Sequence, residues 1–292
     1  VPAAEHDTPV TDERVDVAPG VALRVLVTPG RPEQVPFVLV HGLASNARMW
    51  DGVASALAGF GHASAAVDQR GHGRSDKPES GYDFATVTDD LARLVDRMGL
   101  DRPVVAGQSW GGNVVLELAW RFPRLTRGIV CVDGGTIELV NRFPEWEACR
   151  AALAPPRLAG MAAVDLERWV RGNHPDWPET GVAGTMANFE VRADGTVAPW
   201  LTFERHLDIL RSLWEHRPSS RYPDIAVPVL LVPADGGPSA WTQDKRSGVA
   251  AAEAAIPCVR TAWIKGDHDL HAQFPGELAG LLHRQVVEGF FP

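Results

Sequence analysis

The chain has 292 residues, 45% hydrophobic and 22% charged, with a formal net charge of −9. That length suits one large domain, or a domain carrying an insertion, around a sizeable core. The acidic balance argues against nucleic acid or an anionic membrane as partner, since both demand a basic face, and no apolar run approaches the length of a membrane span. The three cysteines, Cys131, Cys149 and Cys258, are too few and too scattered for a disulfide framework or a C-x-x-C metal or redox site. No cofactor and no metal is therefore expected. Cys131 and Cys258 lie in strand-like runs and are expected to be buried as small apolar residues.

Residues 1–12 read as a loose polar arm without the charged-then-apolar pattern of a signal peptide. A cytoplasmic location is the default expectation, and a leader removed before residue 1 stays open. Two short apolar runs, 15–17 and 21–27, flank Pro19-Gly20 and predict a hairpin at a sheet edge. The continuous run Phe37-Val38-Leu39-Val40 predicts a strand buried on both faces. It ends in His41-Gly42-Leu43-Ala44-Ser45-Asn46, followed by a helix over 49–59. A strand over 63–67 leads into Asp68-Gln69-Arg70-Gly71-His72-Gly73-Arg74-Ser75. Apolar residues at Phe84, Val87, Leu91, Leu94, Val95 and Met98 have helical spacing, and Gly99 is a suitable stop.

The next strand, 103–106, runs into Gly107-Gln108-Ser109-Trp110-Gly111, and a helix follows over 112–120. A serine with glycine at both second neighbours, between strand and helix, has the G-x-S-x-G form of a nucleophile elbow. The alternative is a glycine-rich turn that happens to hold a serine, and the strand–turn–helix context weighs against it. After a strand over 125–132 the rhythm breaks. Residues 135–223 hold no strong strand and carry five of the ten tryptophans: Trp146, Trp169, Trp177, Trp200 and Trp214. The rhythm resumes with a strand at 227–232, a helix at 240–255, a strand at 259–264 and a helix at 273–288. Alternating strands and helices imply a mostly parallel sheet covered on both faces, with the middle segment inserted between two of its strands.

The sequence resembles the α/β-hydrolase fold superfamily over almost its whole length. The resemblance rests on His41-Gly42 after the third strand, the 68–75 motif after the fourth, the elbow at Ser109, and Gly266-Asp267-His268 after the last strand. It implies an eight-stranded, mostly parallel sheet with helices on both faces, and a helical cap inserted after the sixth strand. Residues 1–135 and 225–292 would form the core and 136–224 the tryptophan-rich cap, or lid.

A serine hydroxyl is a weak nucleophile and needs a base within hydrogen-bond reach. His268, in a loop between the last strand and the last helix, is the candidate. His271 is its rival, and a metal pair of the two lacks a supporting ligand set. His41 and His72 read as structural histidines of their turns. A tetrahedral oxyanion needs preorganised donors. The resemblance implies the N–H of Trp110, at a helix N-terminus, and that of Leu43.

The acid departs from the common pattern. In most of the superfamily it follows the seventh strand, about three residues after a turn glycine. Here Ala234 takes the place of that glycine, Gly237 that of the acid, and Asp235 comes two positions early. A minority places it after the sixth strand, where this chain reads Val132-Asp133-Gly134-Gly135. Many relatives hold an Asp there with no catalytic role, so both stay open, with Asp133 favoured over Asp235. Asp267 and Asp269 are poorly placed to reach the far nitrogen of His268.

The lid should roof the elbow. Its tryptophans serve either its own packing or an apolar pocket for a bulky substrate, with Trp177 and Trp214 named as candidates for the second. The expected function is hydrolysis of a carboxylic ester or lactone of a bulky hydrophobic substrate, an aromatic macrolactone such as a resorcylic lactone being one candidate. Haloalkane dehalogenases and epoxide hydrolases share the fold but use an Asp nucleophile where Ser109 stands. Carbon–carbon bond hydrolases and cofactor-free perhydrolases are the enzymatic alternatives, and a small-ligand receptor the non-enzymatic one. A small hydrophobic substrate is the one expected partner, and a homo-oligomer stays open.

Overall fold

In the computed structural model, residues 10–292 are described. Most of the expected N-terminal arm lies outside the described residues, but Thr11 and Asp12 belong to the first strand rather than to a loose arm. The first half contains β1 (Thr11–Ala18), β2 (Val21–Thr28), β3 (Phe37–Val40), α1 (Asp51–Gly59), β4 (Ser64–Val67), α2 (Phe84–Arg97), β5 (Val104–Gln108), α3 (Trp110–Arg121) and β6 (Gly128–Val132). An inserted segment follows, with α4 (Trp146–Leu153), α5 (Ala163–Asn173), α6 (Glu179–Met186), β7 (Phe189–Val191), β8 (Val197–Pro199) and α7 (Phe203–Glu215). The chain ends in β9 (Val229–Val232), β10 (Ala234–Asp235), α8 (Ala240–Ala255), β11 (Val259–Thr261), β12 (Ile264–Lys265), α9 (Leu270–Gln273) and α10 (Pro275–Val287).

Eight strands form one sheet in the order β1-β2-β4-β3-β5-β6-β9-β11. β2 runs antiparallel to β1 and β4, and every other neighbouring pair is parallel. The two faces are both covered, which is why β3 is apolar at every position. Val38 and Val40 face the layer built by α2, α3 and α8, whereas Phe37 and Leu39 face α1 and α10. α2 illustrates the local logic. The Asp83 side chain accepts the Thr86 N–H at 2.9 Å as an N-cap, and Phe84, Val87, Leu91, Leu94 and Val95 form its buried stripe.

Register sets the site. Val40 pairs with Gly107, Gln108 with Val132, and Val132 with Val232, so β3, β5, β6 and β9 all end on one edge. The loops that leave these strands therefore emerge side by side, at the edge where ligands bind in open α/β sheets. β10 continues past β9 and pairs in parallel with β12, which brings the 266–269 loop to the same edge.

The inserted segment differs from expectation in one respect. It contains a β-hairpin, β7 and β8, turned through Asp194-Gly195, with Gly195 at φ +80°. The strand expected over 259–264 is split into β11 and β12. Cys258, expected to be buried, is exposed, while Cys131 and Cys149 are buried. Among the described residues, no helix is long and apolar enough to cross a membrane.

Candidate active site

Ser109 sits at the end of β5 with φ +54° and ψ −122°, a conformation that costs an L-residue energy and persists only where its surroundings fix it. Those surroundings are backbone. The Ser109 N–H donates to Val132 O at 2.9 Å, and its carbonyl accepts from Gly112 N–H at 2.9 Å. The flanking glycines are required by close approach. A Cβ on Gly107 would lie 2.1 Å from the carbonyl oxygen of Gly111, and one on Gly111 would lie 2.5 Å from that of His41. α3 then begins at Trp110, so its N-terminal end faces the serine.

The loop after β3 is held against this elbow by two neutral histidines. The His41 Nε2 accepts the Gln69 N–H at 3.0 Å, so its Nδ1–H donates to Gly42 O at 2.7 Å. The His72 Nε2 accepts the Ala44 N–H at 3.3 Å, and its Nδ1–H donates to Arg70 O at 3.0 Å. Burial pushes both imidazoles below their ordinary value. Both are fully buried and anchor the loop that carries Leu43, as structural histidines do. Gly42 lets the loop come close: a Cβ there would lie 3.1 Å from the Ser109 Cβ.

The His268 Nδ1–H donates to Asp133 Oδ2 at 2.6 Å. Asp133 leaves β6 at φ +43°, a left-handed turn that Asp tolerates better than most residues. Its Oδ1 also accepts the Ala234 N–H at 2.9 Å. Burial alone would raise the Asp133 carboxyl. The hydrogen bond and charge of His268, together with Lys245, outweigh that and hold it below the usual carboxylate value. For His268, desolvation would favour the neutral ring, but Asp133 prevails and raises it above 6.5. About half of the imidazole surface (53%) is open to the cavity, while only 2% of the Asp133 side chain is exposed.

Asp235, the other candidate acid, does not hydrogen-bond His268. Its Oδ2 pairs with Arg246 at 2.9 Å and its Oδ1 accepts the Gly237 N–H at 3.1 Å. His271, the rival base, is fully buried with its ring centroid 4.6 Å from that of Trp50. Burial pushes it down to about 3. Among the described residues, no group of three or more His, Cys, Asp or Glu could hold a metal ion.

A cavity of about 700 Å³ lies between the sheet edge and the inserted segment, and Ser109, Trp110, Leu43, Asp133 and His268 all line it. The inserted segment contributes Ile137, Leu139, Leu153, Leu210, Leu213 and Tyr222, and also Glu138, Arg142 and His206, so the walls are apolar over most of their area with charged groups among them. Neither Trp177 nor Trp214, expected in its lining, is there. Trp177 packs with Met49, Leu166 and Val182 in a separate cluster, and its indole faces His174 with centroids 4.0 Å apart. Trp214 donates its Nε1–H to Phe143 O at 2.7 Å and packs near Trp146. Trp241 on α8 is the indole at the cavity besides Trp110.

Sequence reasoning missed four lining residues. His206 lines the cavity and is pushed down to about 4 by burial. Leu210 and Leu213 line it from one face of α7, an i, i+3 pair that periodicity could have revealed. Lys245 sits beside Asp133, 2.6 Å from Oδ1. Nothing local to its sequence marks it.

A sequence model described as the α/β-hydrolase fold matches residues 35–176. Among curated proteins, 2-(acetamidomethylene)succinate hydrolase of Mesorhizobium japonicum is 28% identical over 195 residues, covering 66% of this chain and 67% of that one. Epoxide hydrolase A of Mycobacterium tuberculosis is 40% identical over 115 residues, but these span 39% of this chain and 34% of the other. Among solved structures, E-2-(acetamidomethylene)succinate hydrolase superposes with a TM-score of 0.79 at 23% identity, over 96% of this chain and all of that one. The thioesterase domain of the curacin biosynthetic pathway gives 0.73 at 19% identity, over 94% and 99%. At such identities these structures speak for the fold.

Proposed function

Within the α/β-hydrolase superfamily, to which this chain belongs, we propose that it is a serine hydrolase that cleaves a carboxylic ester or lactone of a bulky hydrophobic substrate through an acyl-enzyme. The observation that carries the reading is the His268–Asp133 hydrogen bond at the wall of a cavity that Ser109 also lines. With Nδ1 engaged by Asp133, Nε2 is the nitrogen left to serve as base. Ser109 Oγ attacks the substrate carbonyl carbon and its proton passes to His268 Nε2. Asp133 stabilises the imidazolium so formed. The oxyanion rests on the N–H groups of Leu43 and Trp110, the second reinforced by the α3 dipole. The C–O bond breaks and His268 returns the proton to the departing alkoxide. Water then attacks the acyl-enzyme, giving its proton to His268, and the acid leaves as Ser109 is restored.

The mostly apolar wall area favours a bulky acyl or alcohol part, an aromatic macrolactone among the candidates. We read residues 136–224 as a lid over a core of 1–135 and 225–292, because the cavity lies between the two. Epoxide opening on this fold uses an Asp nucleophile, and a serine stands in its place. The test is turnover of p-nitrophenyl esters and lactones of several sizes, with mass spectrometry of an enzyme quenched during turnover. An acyl adduct on Ser109, and loss of about 10⁵-fold or more in kcat in Ser109→Ala, is expected. No turnover across the panel, with a ligand bound all the same, would favour the receptor reading instead.

A further inference from the structure

Lys245 brings an ammonium to the Asp133 carboxylate beside His268, and it comes from an unexpected direction. It lies in the second turn of α8, 112 residues beyond Asp133 in the chain. Its ammonium donates to Asp133 Oδ2 at 2.9 Å and to Ala234 O at 2.7 Å, and lies 2.6 Å from Asp133 Oδ1. The Lys245 side chain lines the cavity but is only 23% exposed. An ammonium has three N–H donors, and here two of them go to the Asp133 carboxylate and the Ala234 carbonyl. That leaves Lys245 poorly suited to bind a substrate anion, although it faces the substrate's space.

We propose that Lys245 is a positioning residue of this site: it fixes the Asp133 carboxylate toward His268 and, by sharing its charge, sets the pH at which His268 becomes the free base. The inference rests on reading Ser109 as the nucleophile and His268 as its base. A carboxylate facing imidazole alone would stabilise the imidazolium with its full charge. One already paired with an ammonium stabilises it less, so the neutral, proton-accepting ring persists to lower pH.

The other charged groups around the pair leave Lys245 as the cation that does this. On α8, Asp244 pairs with Arg142 of the inserted segment at 2.6 Å, and Arg246 pairs with Asp235. In the histidine loop, Asp267 faces His174 at 3.4 Å. Burial raises the Asp269 carboxyl, whose charge adds to that of Asp133 in raising His268, and His271 is pushed down to about 3. From the cavity side, Glu138 faces Arg217 at 3.9 Å, and burial keeps the Cys131 thiol protonated, pushed up to about 12.

The experiment is an NMR titration of the His268 ring, assigned with His268→Gln, in the wild type, Lys245→Met and Lys245→Arg. Removing the charge should raise the midpoint by about one pH unit, and keeping it as arginine should leave the midpoint within about 0.3 unit. The acid limb of kcat/KM should follow the same displacements. A midpoint that stays or falls in Lys245→Met overturns the proposal, as does a loss of activity at every pH with the limb unmoved, which would mark a merely structural lysine. If Lys245→Met does not fold, Lys245→Gln removes the charge while retaining a donor, and the same displacement is expected. The titration needs no substrate. A hydrolase reading that failed would appear as absent turnover with the displacement intact.

Discussion

The ends of β6 and β9 are neighbours on the same sheet edge, and each is followed by an aspartate, Asp133 directly after β6 and Asp235 in β10 just beyond β9, met by a cation from α8. Lys245 reaches Asp133, and Arg246, one residue on, reaches Asp235. The surroundings of the two aspartates are otherwise opposite. Asp133 is buried, bonded to the Ala234 N–H, and hydrogen-bonded to His268. Asp235 is about one third exposed, and its carboxylate is spent on Arg246 and its own turn. The glycines beside them repeat the contrast. A Cβ on Gly134 would lie 2.2 Å from the Ser109 carbonyl oxygen, whereas one on Gly236 would meet nothing closer than 3.7 Å. The β6 end is packed against the serine elbow and the β9 end is open. An acid can orient a base only where its own orientation is fixed, so packing, more than the presence of a carboxylate, separates the two.

The largest expected break in that comparison is Asp133→Asn. The amide can no longer stabilise an imidazolium and offers an NH₂ that competes for the wrong tautomer, so kcat/KM should fall by about 10³- to 10⁴-fold. The pH profile gives the sign independently. Asp133 raises His268 above 6.5, so wild-type activity should be lost as pH falls through a midpoint above that value, where the base becomes protonated. In Asp133→Asn the residual activity should show that midpoint displaced to lower pH, because the anion that favoured the protonated ring is gone. A limb that moves alkaline in the variant would contradict the pairing.

Next in size is Gly134→Ala against Gly236→Ala. Since the blocking atom at Gly134 is backbone, the elbow itself must move. A loss of about 1–3 kcal/mol in chemical denaturation is expected, with a drop in kcat because Ser109 shifts. Gly236→Ala should stay within about 0.5 kcal/mol of wild type. Equal losses would remove the distinction between a packed and an open strand end.

Much of this was legible in the sequence, for identifiable reasons. The glycines at 107 and 111 announce the elbow because no other residue fits where backbone comes within 3 Å of a Cβ. The run Phe37-Val38-Leu39-Val40 announces a central strand because both faces are buried. The acid was not decided, since the choice turns on which carboxylate a loop 135 residues away can reach. Lys245 was invisible for the same reason. The tryptophans misled because an indole packed among its structural neighbours and one lining a cavity leave the same letters. Trp177 and Trp214 are of the first kind. The hairpin at 189–199 did carry a local signal, Asp194-Gly195, but its strands of three residues each are too short to show alternation.

The smallest expected effect is the most discriminating for the acid. Asp235→Asn keeps an oxygen to accept the Gly237 N–H and removes only the ion pair with Arg246, whose side chains are 50% and 35% exposed. Pairs so solvated contribute about 0–1 kcal/mol, so the melting temperature should fall by no more than about 3 °C. Because the carboxylate does not touch His268, kcat/KM should stay within about twofold of wild type, and the acid limb should not move. Arg246→Met should reproduce the same small thermal shift, since it breaks the same pair from the other side. If Asp235→Asn instead cost activity a hundredfold while Asp133→Asn was mild, the open strand end would be the working one, and rigidity at the β6 end would serve the fold alone.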